Sequence, residues 1–426
     1  FEPANIGDHY RHHIDREFVG TLTFFACGKF NRLLGWTLLI VGMAAMSGLD
    51  PWIFGQQEPA ELLGSRRMQF RHAQGVILAM ALLQLVVGYV LTTRAFQSRF
   101  SVQSSILTGC GAILYAGGYL LLVWHPLGKW LVLCGCLLNL VAFLKTLRVD
   151  IGGSGVRQIQ LVLPILCFGM FLDLLTSLFI LYPDLFALEW LGNEDEVRLR
   201  MLRLARVAVI ALTVLTLLYF DLAYRANTTS PIITWGHRGL LGGTIGMPLV
   251  LALACFTFIP LKYLLPIPAT LVCVGAMAGL NLAWKYGDRL ERLGWAIITA
   301  SLFTGMGIGM YAFDGPLPAP WGMDQYQELL RRLLRIGHAY AIVLGILTLF
   351  LAQVFQQQRQ VHIVRRLGLG LYLAGMGTTL VTFTLLALSV VPVSATAIGP
   401  AIVALGLLLC VPNVSPQSQP VAQDSN

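Results

Sequence analysis

The chain has 426 residues, 56% of them hydrophobic and only 12% charged, with a mean hydropathy of +0.72 and a formal net charge of +8. Its charges fall in short islands between apolar runs of membrane length, which excludes a soluble domain and points to an all-α integral membrane protein in a lipid bilayer. The Lys and Arg stand at the ends of those runs, where they set topology, so the positive balance is no sign of nucleic-acid binding.

Residues 1–30 are polar, contain His9 to Glu17 (HYRHHIDRE) and read as a cytoplasmic or interfacial segment. The clustered His there lack the Cys or carboxylate spacing that would complete a metal site. Twelve apolar segments follow, near 31–49, 71–93, 104–124, 128–147, 157–182, 204–224, 237–260, 265–285, 291–311, 334–354, 367–389 and 395–411, separated by Gly, Pro and charged clusters. Residues 31–411 therefore form one membrane domain, and the Ser/Gln/Pro-rich 412–426 form a disordered tail. Nearly all Cys, among them Cys136, Cys167 and Cys410, lie inside apolar runs, where a free thiol packs as a small hydrophobe; no disulfide framework or zinc spacing is present.

One stretch occurs three times, as Arg66 to Arg94, Arg203 to Arg225 and Arg335 to Gln353. Alignment puts His72, Arg206 and His338 in register, with Leu78, Leu212 and Leu344 following, then Leu83, Leu217 and Leu349. The spacings, about 134 and about 132 residues, are nearly equal, as in an internal repeat. A Pro/Trp-bearing acidic loop precedes each copy. The expected architecture is twelve transmembrane helices in three pseudo-threefold four-helix repeats, 31–147, 157–285 and 291–411, with the recurrent stretch as the second helix of each. Loops on the N-terminal side hold the larger share of the 29 Lys and Arg, which predicts a cytoplasmic N-terminus. His72, Arg206 and His338 then lie toward the outer face, His237 and His362 toward the cytoplasm.

Ionisable residues inside a membrane are costly and each is a functional candidate. Asp173 falls mid-membrane in the fifth segment and Asp221 near the inner end of the sixth; each is read either as a proton relay or as a buried acid held by a neighbouring helix. Asn139 and Asn281 are expected to bond helices together. Arg66, Arg67, Arg71, Arg331, Arg332 and Arg335 are either anchors that snorkel or site residues. Three and seven residues after His72 stand Gly75 and Ala79, and after His338 stand Ala341 and Gly345, so each imidazole shares its helix face with a strip of small residues. A flat macrocycle fits such a strip, as does close helix packing.

RRMQFRHAQGVIL…GYVLTTR (Arg66 to Arg94) is similar to the helix-two region of the C-type oxidases and nitric oxide reductases of the haem–copper oxidase superfamily, and RIGHAYAIVLG (Arg335 to Gly345) to their helix-ten motif. Twelve helices in three blocks of four also resemble that family's catalytic subunit, in which helices two and ten supply the axial histidines of the low-spin haem. The family's second helix-ten histidine is replaced here by Tyr340, helix six carries Arg206 and no His, and helix seven carries only His237. A copper site needs imidazoles on one side of the membrane, so the resemblance implies no copper and no binuclear oxygen- or NO-reducing centre. It implies a degenerate subunit of a bacterial inner membrane, not itself an enzyme, that holds one b-type haem between helices two and ten. His72 and His338 would be the axial ligands, and Arg71, Arg206 or Arg335 would pair the propionates. Electron transfer with a cytochrome or other respiratory-complex subunits would be its role. The competing expectation is a haem-free carrier or scaffold of the same fold, with Asp173 and Asp221 along a polar path.

Overall fold

The computed structural model describes residues 28–46, 60–91, 99–147, 156–182, 196–228, 230–309, 329–356, 363–387 and 393–411. The His9–Glu17 cluster, the Trp-bearing loops, His362 and the 412–426 tail lie outside the described residues, as do the side chains of Arg66, Arg67, Arg71, Arg331 and Arg332. Twelve α-helices fall on the twelve apolar segments: α1 Lys29–Met46, α2 Ala60–Val86, α3 Arg99–Leu122, α4 Gly128–Leu147, α5 Val156–Leu181, α6 Glu196–Ala226, α7 Pro231–Phe256, α8 Pro266–Tyr286, α9 Arg289–Gly309, α10 Leu329–Gln356, α11 Ile363–Ala387 and α12 Ile398–Cys410. Among the described residues, nine helices are long and apolar enough to cross a bilayer. The chain is thus an all-α membrane protein.

The largest departures from the expected bounds are at the starts of α2 and α6, which begin well before their apolar runs. The preceding segments, AELLGSRRMQFR and EVRLRMLR, are rich in Ala, Leu, Glu and Arg, good helix formers that continue the helix into an interfacial zone. At its other end α2 passes into a π-helical turn, Val87–Leu91. A Cβ on Gly88 within it would meet the Arg32 backbone nitrogen at 2.8 Å, so only glycine lets α1 come this close.

Each helix packs on the next in sequence, and α12 returns to pack on α1, closing a ring; α6 also touches α2 and α8. The most enclosed spans belong to α2 and α6. We call the end of the bundle where α2, α4 and α6 begin the head face, and the opposite end the tail face. Three helix pairs approach through glycine. A Cβ on Gly118 (α3) would lie 2.6 Å from the Val132 nitrogen (α4), one on Gly239 (α7) 2.7 Å from the Leu271 carbonyl (α8), and one on Gly375 (α11) 2.6 Å from the Val403 nitrogen (α12). Between lipid-immersed helices, where water gives no hydrophobic drive, such close approach supplies the dispersion contact that holds them. Gly406→Val, whose Cβ would meet the Tyr372 nitrogen at 2.5 Å, is expected to cost about 1–3 kcal/mol through overpacking. Thermal unfolding of purified protein checks this.

Polar clusters add to the seams. Asn31 on α1 donates to the Gln84 side chain on α2 at 2.6 Å and to Thr108 on α3 at 3.2 Å, while Ser105 donates to Asn31; all four residues are buried. At the tail face Asp288 and Glu291 make a reciprocal capping box at the start of α9: the Glu291 N–H donates to Asp288 at 2.8 Å, and the Asp288 N–H to Glu291 at 3.3 Å.

Candidate functional site

The charged residues singled out in the sequence come together on the head-face side of α6. Arg206 is 6% exposed, and its guanidinium points into the bundle. Its Nε lies 3.1 Å from Asp173 Oδ1 on α5, and its Nη2 lies 3.3 Å from His72 Nε2 on α2. Its Nη1 is buried with no hydrogen-bond partner among the described residues. A guanidinium only donates, so His72 Nε2 accepts, and the proton of a neutral imidazole then sits on Nδ1.

Helices α3 and α4 close the site. The Tyr119 ring packs edge-on against His72 at 4.8 Å and against Tyr115 at 5.3 Å. Its hydroxyl lies 3.4 Å from Ser177 Oγ on α5, one turn from Asp173. The Cys136 thiol lies 3.7 Å from Asp173 Oδ2 and 3.8 Å from Ser177. Tyr115 is 1% exposed, its hydroxyl turned toward Asp173 and Cys136. Five helices thus surround one ion pair with hydroxyl and thiol groups. Sequence reading named His72, Asp173 and Arg206 separately; Tyr115, Tyr119, Cys136 and Ser177 gave no signal, because hydroxyls in apolar helices are common and only tertiary packing makes these four converge.

A second charged cluster stands at the tail face of the same helix. Arg225 Nε lies 3.0 Å from Asp221, and its Nη2 lies 2.5 Å from Glu291 on α9, which is 2% exposed. Gln353 of α10 donates to Asp221 at 3.3 Å, and Gln356 to Asp288 at 3.0 Å. Between the two clusters α6 carries Thr213, whose buried hydroxyl has no partner among the described residues, and Thr216, 2.8 Å from Thr244 of α7. Tyr219 follows, donating to the Ile233 carbonyl at 3.1 Å. At 100° per residue, Arg206, Thr213 and Asp221 lie within roughly 80° of one another around α6. Asn139 behaves as expected, bridging α4 to α2 through a long bond to Met80 Sδ at 3.7 Å.

His72 and His338 have different hydrogen-bond partners in the structure. His338 faces α9: its Nδ1 lies 2.6 Å from the Ser301 carbonyl and 3.1 Å from the Ser301 hydroxyl. The rest of its ring lies over Gly305, where a Cβ would fall 2.5 Å from Nε2. Tyr340 turns to α11, its ring 5.2 Å from that of Phe383. Tyr89, in the π-helical turn that ends α2, meets Phe350 of α10 at 5.8 Å. That contact lies twelve residues, or roughly 18 Å of helix, beyond His338. Arg335 sits on the head-face part of α10, and for Arg71 only the backbone position on α2 is described. A haem between the two histidines would need their ligating nitrogens about 4 Å apart across the iron. His72 Nε2 faces the Arg206 guanidinium, where an axial ligand would need its lone pair free, whereas the Nδ1 bond of His338 leaves its Nε2 uncommitted. Among the described residues no group of three or more His, Cys, Asp or Glu could hold a metal ion.

Comparison with family models, with curated proteins and with solved structures finds no match for this chain.

Proposed function

We propose that this chain is a haem-free membrane carrier, in which α6 lines a path for a small polar or ionic solute across the bilayer. The observation that carries the reading is the layout of α6. This enclosed helix bears a fully buried ion pair, Arg206–Asp173, toward the head face and a partly exposed one, Arg225–Asp221, at the tail face, with hydroxyls between them. Arg206 and Arg225 are nineteen residues apart, roughly 28 Å of helix rise and close to the hydrocarbon thickness. Charges placed so deep are expensive and mark ion and substrate pathways more often than they serve stability. Arg206 Nη1 and Thr213 Oγ1, buried without partners among the described residues, with the buried Tyr115 hydroxyl beside Asp173, are the donors and acceptors that a passing solute would use.

The proposal extends to the architecture. The glycine seams recur between the third and fourth helices of each expected block, and the ring closes through α12 and α1. Both support three four-helix repeats, 31–147, 157–285 and 291–411, around an axis near the membrane normal. The Lys and Arg balance of the loops adds a cytoplasmic N-terminus in a bacterial inner membrane to the proposal. The helix-two and helix-ten resemblance then reads as shared ancestry of fold with the oxidase subunit, without its redox centre. In that family helices two and ten face a common cofactor, whereas here α2 answers to α6.

Two measurements test the reading. Purified full-length protein, expressed with ample haem supply, is expected to show no Soret band, oxidised or dithionite-reduced. In proteoliposomes it is expected to carry proton or small-ion flux above that of empty vesicles. A six-coordinate low-spin spectrum lost in both His72→Ala and His338→Ala would overturn the carrier in favour of the electron-transfer subunit.

A further inference from the structure

The donor set around Arg206 points to its cargo. We propose that Arg206 binds a small monovalent anion, and that the anion enters together with a proton taken up by Asp173. This names the substrate class of the carrier proposed above and rests on that reading.

Apart from Asp173 and the accepting His72 Nε2, the described groups that face the pair are donors or can act as donors. Arg206 offers Nη1 with no partner among the described residues, inside a site where the residue is 6% exposed. Tyr115 offers a buried hydroxyl beside Asp173 and Cys136, and Tyr119 and Ser177 offer two more hydroxyls 3.4 Å apart. Cys136 contributes a thiol 3.7 Å from Asp173. Hydroxyls around a guanidinium suit a carboxylate or an inorganic monoanion, and the fixed positive charge of Arg206 opposes a cation at the same place.

Charge balance fixes the coupling. With Asp173 ionised, the pair Asp173–Arg206 is neutral. Adding an anion would leave a net negative charge in a low-dielectric site, which is costly. Protonating Asp173 removes one negative charge and frees the guanidinium Nε, so that one anion restores neutrality. The proton bonds to a carboxylate oxygen, and the anion takes that carboxylate's place on the guanidinium. His72 from α2 accepts from Nη2 and keeps the guanidinium oriented through the exchange. The charged and titratable groups acting on the pair are His72 on α2, Tyr115 and Tyr119 on α3, Cys136 on α4, Asp173 on α5, and Arg206 itself, with Arg203 one turn away on α6 reaching His72. One protonation event on this list therefore controls access to the one cation that anchors the anion.

The experiment uses full-length protein in detergent, with nitrate and formate as probes and gluconate as a bulky control. Unfolding temperature is followed by tryptophan fluorescence at pH 5 and pH 8, and proton uptake by an indicator dye in weak buffer. Nitrate and formate are expected to raise the unfolding temperature more at pH 5 than at pH 8, with about one proton taken up per anion. Asp173→Asn, which mimics the protonated acid, is expected to bind nitrate equally at both pH values without proton uptake. Arg206→Gln is expected to lose the response. Should Arg206→Gln fail to fold, Asp173→Asn decides alone. A folded Asp173→Asn that binds no nitrate, or that still takes up a proton, overturns the proposal, as does wild type with no response to either probe. Nitrate binding with proton uptake but no flux in proteoliposomes keeps the site and refutes the carrier. Flux that is untouched in Asp173→Asn keeps the carrier and refutes the site.

Discussion

Arg206→Ala is expected to lower the unfolding free energy by about 3–5 kcal/mol and to abolish solute flux, because it leaves the Asp173 carboxylate buried without a counter-charge. Asp173→Ala is expected to cost a similar amount for the mirror reason, since it strands a guanidinium whose side chain is 8% exposed. The double variant Arg206→Leu/Asp173→Leu should recover most of that stability, since a buried ion pair exchanged for well-packed apolar groups is often neutral or better. It should not recover flux. Thermal or steric-trap unfolding of the three variants beside proteoliposome flux separates the two roles. A double variant as active as wild type would show that the pair serves packing alone, and single variants of wild-type stability would show that the carboxylate and guanidinium are not desolvated as described.

Most of the architecture was legible in the sequence because a bilayer allows few solutions. Backbone groups in hydrocarbon must be satisfied internally, so each apolar run of about twenty residues becomes a helix. The bounds of α4, Gly128–Leu147, coincide with the run read from hydropathy. They fail where another force extends the helix, as at the Arg-rich starts of α2 and α6. The site was half legible. A charge in an apolar run signals itself, and Asp173, Arg206 and His72 were all visible. Which charge meets which was not visible, because register along a helix says nothing about its rotation relative to non-neighbouring helices. His72 and His338 share a register position, yet one turns to α6 and the other to Ser301 and Gly305 of α9. The small residues that follow the two histidines stand in different surroundings. Gly75 has open space around it, whereas Gly345 packs against Ile298 on α9, a helix-packing role. The signal that could have paired Arg206 with Asp173 is charge complementarity between adjacent helices, since a buried cation in α6 needs an acid within reach on α5 or α7, and Asp173 is the acid the apolar part of α5 offers.

The tail-face cluster carries the second large effect. Arg225→Met removes the cation that lies within 3.0 Å of both Asp221 and Glu291 and leaves these two carboxylates, 7% and 2% exposed, without it. The expected cost is about 2–3 kcal/mol, below that of the head-face pair, because the Arg225 side chain is 32% exposed and water screens it. Adding Asp221→Asn and Glu291→Gln to Arg225→Met removes the stranded charges while keeping amide groups for the Gln353 bond and the α9 capping box, so stability should return. Flux is expected to follow a different course. The cluster ties α6 to α9 and α10 at the tail face, so it closes that end of the path, and solvent access from that side should rise once it is released. Cysteine labelling at Thr213→Cys with a membrane-impermeant reagent reads this out: modification is expected to be slow in the wild-type background and several-fold faster in the triple variant. Equal labelling rates in the two backgrounds would reduce the cluster to a helix clamp with no part in access, and would leave the Arg206–Asp173 pair to carry the proposed path.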